Sequence, residues 1–494
     1  MKRGLAVRGS RGGGRSGVHR PAPNRVYRGI AALSRWNVRE QARANAIELT
    51  FVVALTALYS ALALRLHLRL ETAGYDLGIF EQAIRNYSEF RPPIVEIKGP
   101  GFNLLADHFH PILVLLAPFY ALVPTSATLL VAQAFLFALA AAPLVAWARR
   151  SLGIRAALAV GVIYGFSFGI ASAVGFDFHE IAFAVPLLAF SLAALGQGHL
   201  RQAAAWAIPL ILVKEDLGAT AVAVIGALIF LRGARRLGSV TVVIGIGASL
   251  LEVLLVLPLM SSSGAYAYWS RLGSGPSLLQ SAVAHADVKL STVILTLAIT
   301  GFAALASPLV LVAVPTLIWR FISTDPFYWG TTFHYSAVLM PIVVASLIDA
   351  LSRLRTRDTR RSRLLGRAVL TVSLAVTVAA VPSHAFARLF GPTLWEPNPR
   401  IEAVDAALAL IPGGATIAAS DNIAPQLISR TTVTVFGLQP LARIRPDWIL
   451  VDPYSTRHFR VSRAAEQQDV AGALRHGYVV ALERDGIALL RRTE

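Results

Sequence analysis

Long apolar runs recur along most of the chain, separated by short polar segments. A bilayer core needs about 20 apolar residues per helix, and runs near this length predict eleven membrane-spanning helices. The predicted spans are residues 46–64, 126–148, 155–175, 181–196, 202–213, 217–231, 238–258, 290–305, 307–322, 336–351 and 366–383. The pattern therefore predicts a mainly α-helical, polytopic transmembrane bundle.

One apolar stretch, residues 111–123, does not fit this series. It has about 13 residues, too few for a span, and contains Pro111 and Pro118. Counting it as a span would put Arg149 and Arg150 on the outer side. We therefore expect a short re-entrant or interfacial helix there.

The pattern changes after Pro382, where shorter apolar segments predict a small soluble α/β domain. The expected elements are helices at 401–411 and 464–476 and strands at 415–419, 433–436, 448–451, 478–482 and 487–490. No Gly-rich phosphate loop accompanies the strands, which favours an exported cap or scaffold domain over a nucleotide-binding one. The predicted domains are a disordered basic cytoplasmic tail (1–45), a helical domain (46–383) with a long outer loop (65–125), and an extracytoplasmic α/β domain (384–494).

Composition supports the membrane assignment. Hydrophobic residues make up 55% of the 494 residues and charged residues 15%, whereas soluble domains carry about 25% charged residues. This excludes a soluble enzyme, a disordered protein and a repeat solenoid. Cysteine is absent, which excludes disulfides, thiolate metal sites and a cysteine nucleophile.

The net charge of +18 first suggests a nucleic-acid partner, but its distribution indicates membrane topology. Residues 1–45 carry eleven Lys and Arg against Glu40 alone, which fits a tail attracted to anionic lipid better than an RNA-binding tail. Residues 353–367 carry seven Arg and one Asp, whereas 69–110 carries four bases and six acids. The positive-inside rule then predicts a cytoplasmic N-terminus and an outer C-terminus, and no nucleic-acid partner is needed.

Acidic and histidine side chains gather at the predicted outer ends of the spans. Polar groups at membrane depth are costly and call for a function or a partner. We expect these groups to form a substrate-binding site. Arg320, near the outer end of its span, either belongs to that site and binds a phosphate or snorkels to the interface. The outer candidates are Asp76, Glu81, Asp107, His108, His110, Asp177, His179, Glu180, Lys214, Glu215, Asp216 and His334.

Asp76 follows the first span closely and is the candidate catalytic residue. A carboxylate in a partly apolar cleft can accept a proton from an attacking hydroxyl. The alternative is a helix N-cap, a position that Asp commonly occupies.

The Asp and His residues of two outer loops also suggest a divalent metal ion, because such side chains ligate Mg, Mn or Zn. The possible ligands are His108, His110, Asp177 and His179. The alternative is that these histidines are hydrogen-bonded at loop ends.

Three consecutive charges, Lys214, Glu215 and Asp216, interrupt the apolar stretch between Ala203 and Leu231. They form either an interhelical turn or a site in which Lys214 binds a phosphate. A simple turn costs less free energy when it is built from Gly, Asn or Ser than from three charged residues, so the sequence favours the site.

Six motifs in order over residues 46–490 resemble a bacterial family of polytopic membrane proteins, domain of unknown function 2079. They are YDLGIFEQAI, NLLADHFHPILVLLAPFYALVP, FDFHEIAFAVPLLAF, LVKEDLG, FHYSAVLMPIVVASL and DWILVDP. The layout is in turn similar to the C-class glycosyltransferases, which use lipid-phosphate sugars. That resemblance implies that Asp76 is a base, that Lys214 is an outer-loop lysine and that residues 111–123 are interfacial. The paired acids common in those enzymes are absent, since Leu77 follows Asp76.

These observations predict an integral membrane glycosyltransferase that moves a sugar from a polyprenyl-phosphate donor to an acceptor on the outer side of the cytoplasmic membrane. Two alternatives stay open. A transporter or lipid flippase would place polar groups and repeats near mid-bilayer, whereas the sequence shows no internal repeat and Glu252 is the clearest acid well inside a span. A non-catalytic scaffold would present residues 384–494.

Overall fold

The structure is a computed structural model that describes residues 25–266, 268, 278–455 and 461–493. The chain divides into two units, Met1–Ile47 and Glu48–Glu494, and every contact reported below lies within the second unit.

The helical domain follows the predicted apolar runs closely. Its α-helices are α1 (Arg25–Leu68), α2 (Ile79–Ser88), α3 (Ala117–Leu122), α4 (Ser126–Leu139), α5 (Ala141–Leu152), α6 (Ile154–Gly165), α7 (Phe168–Val174), α8 (Ala184–Gly196), α9 (Leu200–Ala207), α10 (Ala223–Leu231), α11 (Arg235–Leu251), α12 (Leu257–Met260), α13 (Leu278–Val283), α14 (Ala286–Ala298), α15 (Ala313–Ile322), α16 (Leu339–Thr356) and α17 (Arg360–Ala380).

Five helices are long and apolar enough to cross a membrane within the described ranges, or six if the bent pair α6–α7 is one span. The long ones are Asn45–Leu68, Ser126–Leu152, Arg235–Met260, His334–Thr356 and Arg360–Ser383. Each of the eleven predicted spans contains a helix, although several of these helices are shorter than a bilayer. The predicted mainly helical membrane bundle is confirmed.

Local sequence explains where several helices begin and end. Thr125 caps α4 by accepting a hydrogen bond from the Ala127 N–H, and Gly153, with φ of 97°, ends α5 in the left-handed region that glycine tolerates. A 3-10 turn at Pro111–Leu116 leads directly into α3. The short helix expected over residues 111–123 is therefore present.

One difference from the sequence-based boundaries concerns the start of the chain. Residues 25–45, expected in a disordered tail, form the first part of α1, in keeping with their many Ala and Arg, which are good helix formers. Residues 1–24 of the expected tail lie outside the described residues.

The small domain near the C-terminus is an α/β sheet, as the sequence predicts. Its strand order is β2-β1-β3-β5-β4, with β1 parallel to β2 and β3, and β5 antiparallel to β3 and β4. The elements are α18 (Pro399–Leu410), β1 (Thr416–Ala419), β2 (Thr432–Val435), α19 (Leu441–Ile444), β3 (Trp448–Val451), α20 (Arg463–Arg475), β4 (Tyr478–Arg484) and β5 (Ile487–Arg492).

This sheet domain packs against the segment that follows α1. Arg388 forms a bidentate ion pair with Glu71, at 2.6 and 2.8 Å. The Gln82 amide donates to the Val433 carbonyl at 2.8 Å, and Arg85 donates to the Ile428 carbonyl at 2.6 Å. The domain therefore helps to position the chain around Asp76.

Candidate active site

Asp76 lies in a π-helical turn, Gly74–Gly78, directly before α2. Such turns are rare and are frequent at functional sites. The Gly74 N–H donates to the Asp421 carbonyl at 2.7 Å, and the Tyr75 N–H donates to the Asp421 Oδ1 at 2.8 Å. A Cβ at Gly74 would lie 2.7 Å from the Ala424 Cβ, so the close contact with the sheet domain requires glycine here.

The turn borders a cavity of about 260 Å³ that opens at one end of the helical domain. Its ionisable lining residues are Asp76, Lys98, Asp107, His108, His110, His179, Glu180, Lys214, Asp325 and His334. Its aromatic lining residues are Tyr75, Phe80, Phe176, Tyr268, Phe327, Tyr328, Phe333 and Tyr335. Sequence segments that are far apart along the chain therefore converge on one site.

The two carboxylate oxygens of Asp76 have different surroundings. Oδ1 lies 3.6 Å from the Nε2 atom of His179. Oδ2 is buried and has no hydrogen-bond partner among the described residues. Because a carboxylate oxygen is a strong acceptor, Oδ2 is available to a hydroxyl group bound in the cavity.

His179 is held in a stack of rings. Its imidazole lies 3.6 Å from that of His334, measured between ring centroids, and 5.3 Å from the Phe176 ring. His334 belongs to the turn before α16. The stack joins the loop before α8 to the start of α16 beside Asp76.

Two lysines line the cavity, each paired with a carboxylate. Lys214 Nζ lies 3.2 Å from Glu180 Oε1, and Lys98 forms an ion pair with Asp107. Burial acts to lower the pKa of Lys214, but the charges of Glu180, Asp216 and Glu215 together outweigh burial and raise that pKa above its ordinary value. Likewise, burial acts to raise the pKa of Asp107, but the charges of Lys98 and His108 and the hydrogen bonds from Lys98 and Tyr268 together outweigh burial and lower that pKa. Lys214, Glu180 and Asp107 are therefore charged at neutral pH.

The two histidines of the DHFH motif have different roles. His108 Nδ1 lies 2.7 Å from Glu215 Oε1, and its ring stacks on Tyr268. Burial acts to raise the pKa of Glu215, but the charge and hydrogen bond of His108 and the charge of Lys214 together outweigh burial and lower that pKa to about 2. Burial lowers the pKa of His110 to about 4, so His110 is neutral at pH 7.

Five of the predicted substrate-binding residues do not line the cavity: Glu81, Asp177, Glu215, Asp216 and Arg320. Glu215 accepts a hydrogen bond from the Phe109 N–H at 3.1 Å, and so fixes the loop that carries His108. Asp177 accepts a hydrogen bond from the Ala73 N–H at 3.1 Å, next to the π-turn. Asp216 lies beside Lys214 in the turn between α9 and α10, where burial raises its pKa to about 6.

Arg320 and Glu81 are also directed into the protein. The Arg320 guanidinium donates to the carbonyls of Tyr328 and Gly330, at 2.7 and 2.8 Å, so it holds the loop before α16 and is not placed to bind a phosphate in the cavity. Glu81 accepts hydrogen bonds from Tyr120, at 2.9 Å, and Ser126. These polar groups stabilise the elements that surround the cavity.

The metal prediction for His108, His110, Asp177 and His179 is not supported by the geometry. Within the part of the chain that the structure describes, no group of three or more His, Asp or Glu side chains is arranged to hold a metal ion. The physical reason is that His108 pairs with Glu215 and Asp177 with the Ala73 N–H, so these side chains point to different partners.

Several lining residues were missed by sequence reasoning, notably Lys98, Tyr268, Asp325 and Tyr328. The run DPFYWGTTFHY at residues 325–335 holds five aromatic residues, and this local enrichment before a span was a usable signal. Tyr268 stands close to Tyr266 and Trp269 in the sequence; its hydroxyl donates to Asp107 Oδ1 at 2.9 Å, a contact that only the fold creates.

Comparison with known proteins agrees with this architecture. The structure is similar to the crystal structure of ArnT from Cupriavidus metallidurans in the apo state, a C-class glycosyltransferase, with a TM-score of 0.54 and 14% identity over 89% of this chain and 98% of that chain. No curated protein matches the chain. The family model described as a predicted membrane protein, DUF2079, matches residues 66–489. The chain belongs to this family of membrane proteins, and its fold is similar to that of ArnT.

Proposed function

We propose that the protein is a membrane glycosyltransferase that moves a sugar from a polyprenyl-phosphate donor to an acceptor hydroxyl. The observation that carries the proposal is Asp76, whose Oδ2 atom is buried at the cavity without a hydrogen-bond partner among the described residues. The glycosyltransferase-like fold supports the same reaction class.

Asp76 acts as the general base. As the acceptor oxygen attacks the anomeric carbon of the sugar, its proton passes to Asp76 Oδ2. The bond between that carbon and the phosphate oxygen breaks, and polyprenyl phosphate leaves with the electron pair. A positioned base of this kind contributes about 10²–10⁴-fold to a rate.

The two lysines bind the phosphate of the donor. Lys214 and Lys98 line the same cavity and are already held by Glu180 and Asp107. Charge-assisted contacts to phosphate are among the strongest that a side chain makes. They stabilise the negative charge that grows on the leaving phosphate, which supports the departure of the lipid.

The aromatic side chains bind the sugar ring. Tyr75, Phe80 and Tyr335 offer flat apolar faces beside the carboxylates, and pockets that combine aromatic surface with a few polar groups fix the orientation of small ligands. The sugar is thereby held between the base and the lysines.

The cavity opens on the outer side of the cytoplasmic membrane in this proposal, with the N-terminus inside and the C-terminus outside. Helix His334–Thr356 supports this orientation, since His334 lines the cavity at one end and the basic residues Arg353 and Arg355 are at the other. Basic loops stay in the cytoplasm. A lipid-linked donor suits this position, because its prenyl chain stays in the hydrocarbon while its phosphate reaches the cavity.

The test is a cell that lacks the chain, complemented with wild type or with Asp76→Asn. Mass spectrometry of lipid-linked sugars should show a polyprenyl-phosphate sugar that accumulates without the chain and disappears with wild type. Asp76→Asn should leave the accumulation in place at an equal level of membrane protein. The matched control is Asp405→Asn, an exposed residue of α18, which should restore wild-type lipids.

Two results would count against the proposal. Full complementation by Asp76→Asn would show that Asp76 is not the general base. Unchanged lipid-linked sugars in cells without the chain would show that the donor is not a polyprenyl-phosphate sugar. Separately, complementation by a chain that lacks residues 384–494 would exclude a scaffold whose task is to present that domain.

A further inference from the structure

A second groove lies at the end of the helical domain opposite the cavity. It has a volume of about 410 Å³ and is lined by apolar residues of α5, α6, α16 and α17, by arginines at its mouth, and by Asp358 and Ser362. Pockets of roughly 300–1,000 Å³ accommodate small organic ligands. The groove shares no lining residue with the cavity around Asp76.

The distance between the two sites matches a bilayer. His334 lines the cavity and Arg355 lines the groove, and both belong to the helix His334–Thr356. At 1.5 Å per residue, this helix spans roughly 30 Å between them, about the thickness of the hydrocarbon core. The groove therefore lies at the level of the lipid headgroups on the membrane surface opposite the cavity.

The arginines at the mouth of the groove have spare charge. Arg355 donates to the Ser151 carbonyl at 3.1 Å, which leaves its charge unneutralised. Arg363 pairs with Asp358 at 3.1 Å, but both side chains are more than half exposed, so that pair is weak. In the part of the chain described, Arg367 has no carboxylate partner.

The interior of the groove is apolar, in contrast to its positively charged mouth. Leu152, Ala156 and Leu370 line it, and none of them carries a polar group. An occupant must therefore combine an anionic head with an apolar chain. Arg363 and Arg367 are four residues apart on α17 and face the same side of that helix, so two guanidinium groups can bind one phosphate.

We propose that this groove is a binding site for an anionic phospholipid of the surrounding bilayer. Its phosphate lies between Arg363 and Arg367, and one acyl chain lies along Leu152, Ala156 and Leu370. The proposal does not depend on the glycosyltransferase activity. It assigns a structural lipid to the face where α6, α16 and α17 meet.

The test is native mass spectrometry of the purified full-length chain in detergent, titrated with phosphatidylglycerol or phosphatidylcholine. Wild type should retain phosphatidylglycerol in preference to phosphatidylcholine. Arg363→Gln/Arg367→Gln should lower the retention of phosphatidylglycerol about tenfold or more, since two charge-assisted contacts are lost. The midpoint of thermal unfolding without lipid checks that each variant is folded.

The matched control is Arg360→Gln/Arg361→Gln. It removes the same charge from the same helix, but these arginines line a separate surface with Leu364 and Leu365. The control variant should therefore retain phosphatidylglycerol as well as wild type does. Equal losses in both double variants would show diffuse charge attraction and overturn the proposal. Unchanged retention in the groove variant, or equal retention of both lipids by wild type, would also overturn it. If the double variant fails to fold, Arg367→Gln replaces it with the same expectations.

Discussion

The Nε2 atom of His179 lies 3.6 Å from the Oδ1 atom of Asp76. The carboxylate comes from the π-turn before α2 and the imidazole from the loop before α8, so the pair exists only in the folded protein. The Oδ2 atom of Asp76 is buried without a hydrogen-bond partner among the described residues. His179 is therefore the residue that positions the proposed base.

The first prediction concerns this positioning role. In His179→Phe the new ring can stack on His334 as the imidazole does, but the nitrogen next to Asp76 is lost. We expect kcat for sugar transfer to fall about 10–100-fold, less than in Asp76→Asn, because the base remains but is poorly oriented. The control His199→Phe replaces an exposed histidine and should have wild-type kcat. Wild-type kcat in His179→Phe would contradict the role.

The second prediction separates the two tasks of Lys214. In Lys214→Met, the buried carboxylate of Glu180 loses its partner at 3.2 Å. Breaking a buried pair costs about 3–5 kcal/mol, so the midpoint of thermal unfolding in detergent should fall. The double variant Glu180→Gln/Lys214→Met should regain most of this stability.

The same double variant should still have a raised KM for the polyprenyl-phosphate donor, because the phosphate contact is lost. A stable double variant with wild-type KM would show that Lys214 only neutralises Glu180.

The third prediction is a pH dependence of stability caused by Glu81. Burial raises the pKa of this carboxyl from its ordinary 4.5 to about 7, although Ser126 and Tyr120 donate hydrogen bonds to it. The unfolded chain therefore loses the proton at lower pH than the folded chain does. The stabilisation is complete below about pH 4.5 and is lost as the pH rises to about 7.

The size of the effect follows from the shift, at about 1.4 kcal/mol per pKa unit, which gives about 3 kcal/mol across this window. Thermal unfolding at several pH values should show that Glu81→Gln removes this part of the pH dependence. Curves of equal slope for wild type and Glu81→Gln between pH 5 and 7 would rule it out.

The fourth prediction concerns the contact between the π-turn and the sheet domain. In Gly74→Ala, the added Cβ would lie 2.7 Å from that of Ala424, so the turn must move. Overpacking costs about 1–3 kcal/mol, and both the unfolding midpoint and sugar transfer should fall. The control is Gly247→Ala in α11, where a Cβ would meet nothing within 4 Å. Equal behaviour of the two variants would show that the contact does not position Asp76.

The sequence alone predicted the helical bundle, the sheet domain and most of the charged cavity residues. The reason is energetic. A run of apolar residues long enough to span the bilayer is unfavourable in water and is most stable as a transmembrane helix. An acid or histidine at the end of such a run costs free energy unless it has a function or a partner. Asp76, His108, His179, Glu180, Lys214 and His334 were found by that argument.

Tertiary structure decided which partner each polar group takes. Glu215, Asp177 and Arg320 lie in the predicted clusters, yet each binds backbone groups of a neighbouring segment and lies outside the cavity lining. Lys98 and Tyr268 joined the site through Asp107. Whether a polar side chain faces a cavity or a neighbouring backbone depends on how each helix is rotated and packed against distant segments. These contacts are long-range, and the local pattern of residues along the chain does not contain them.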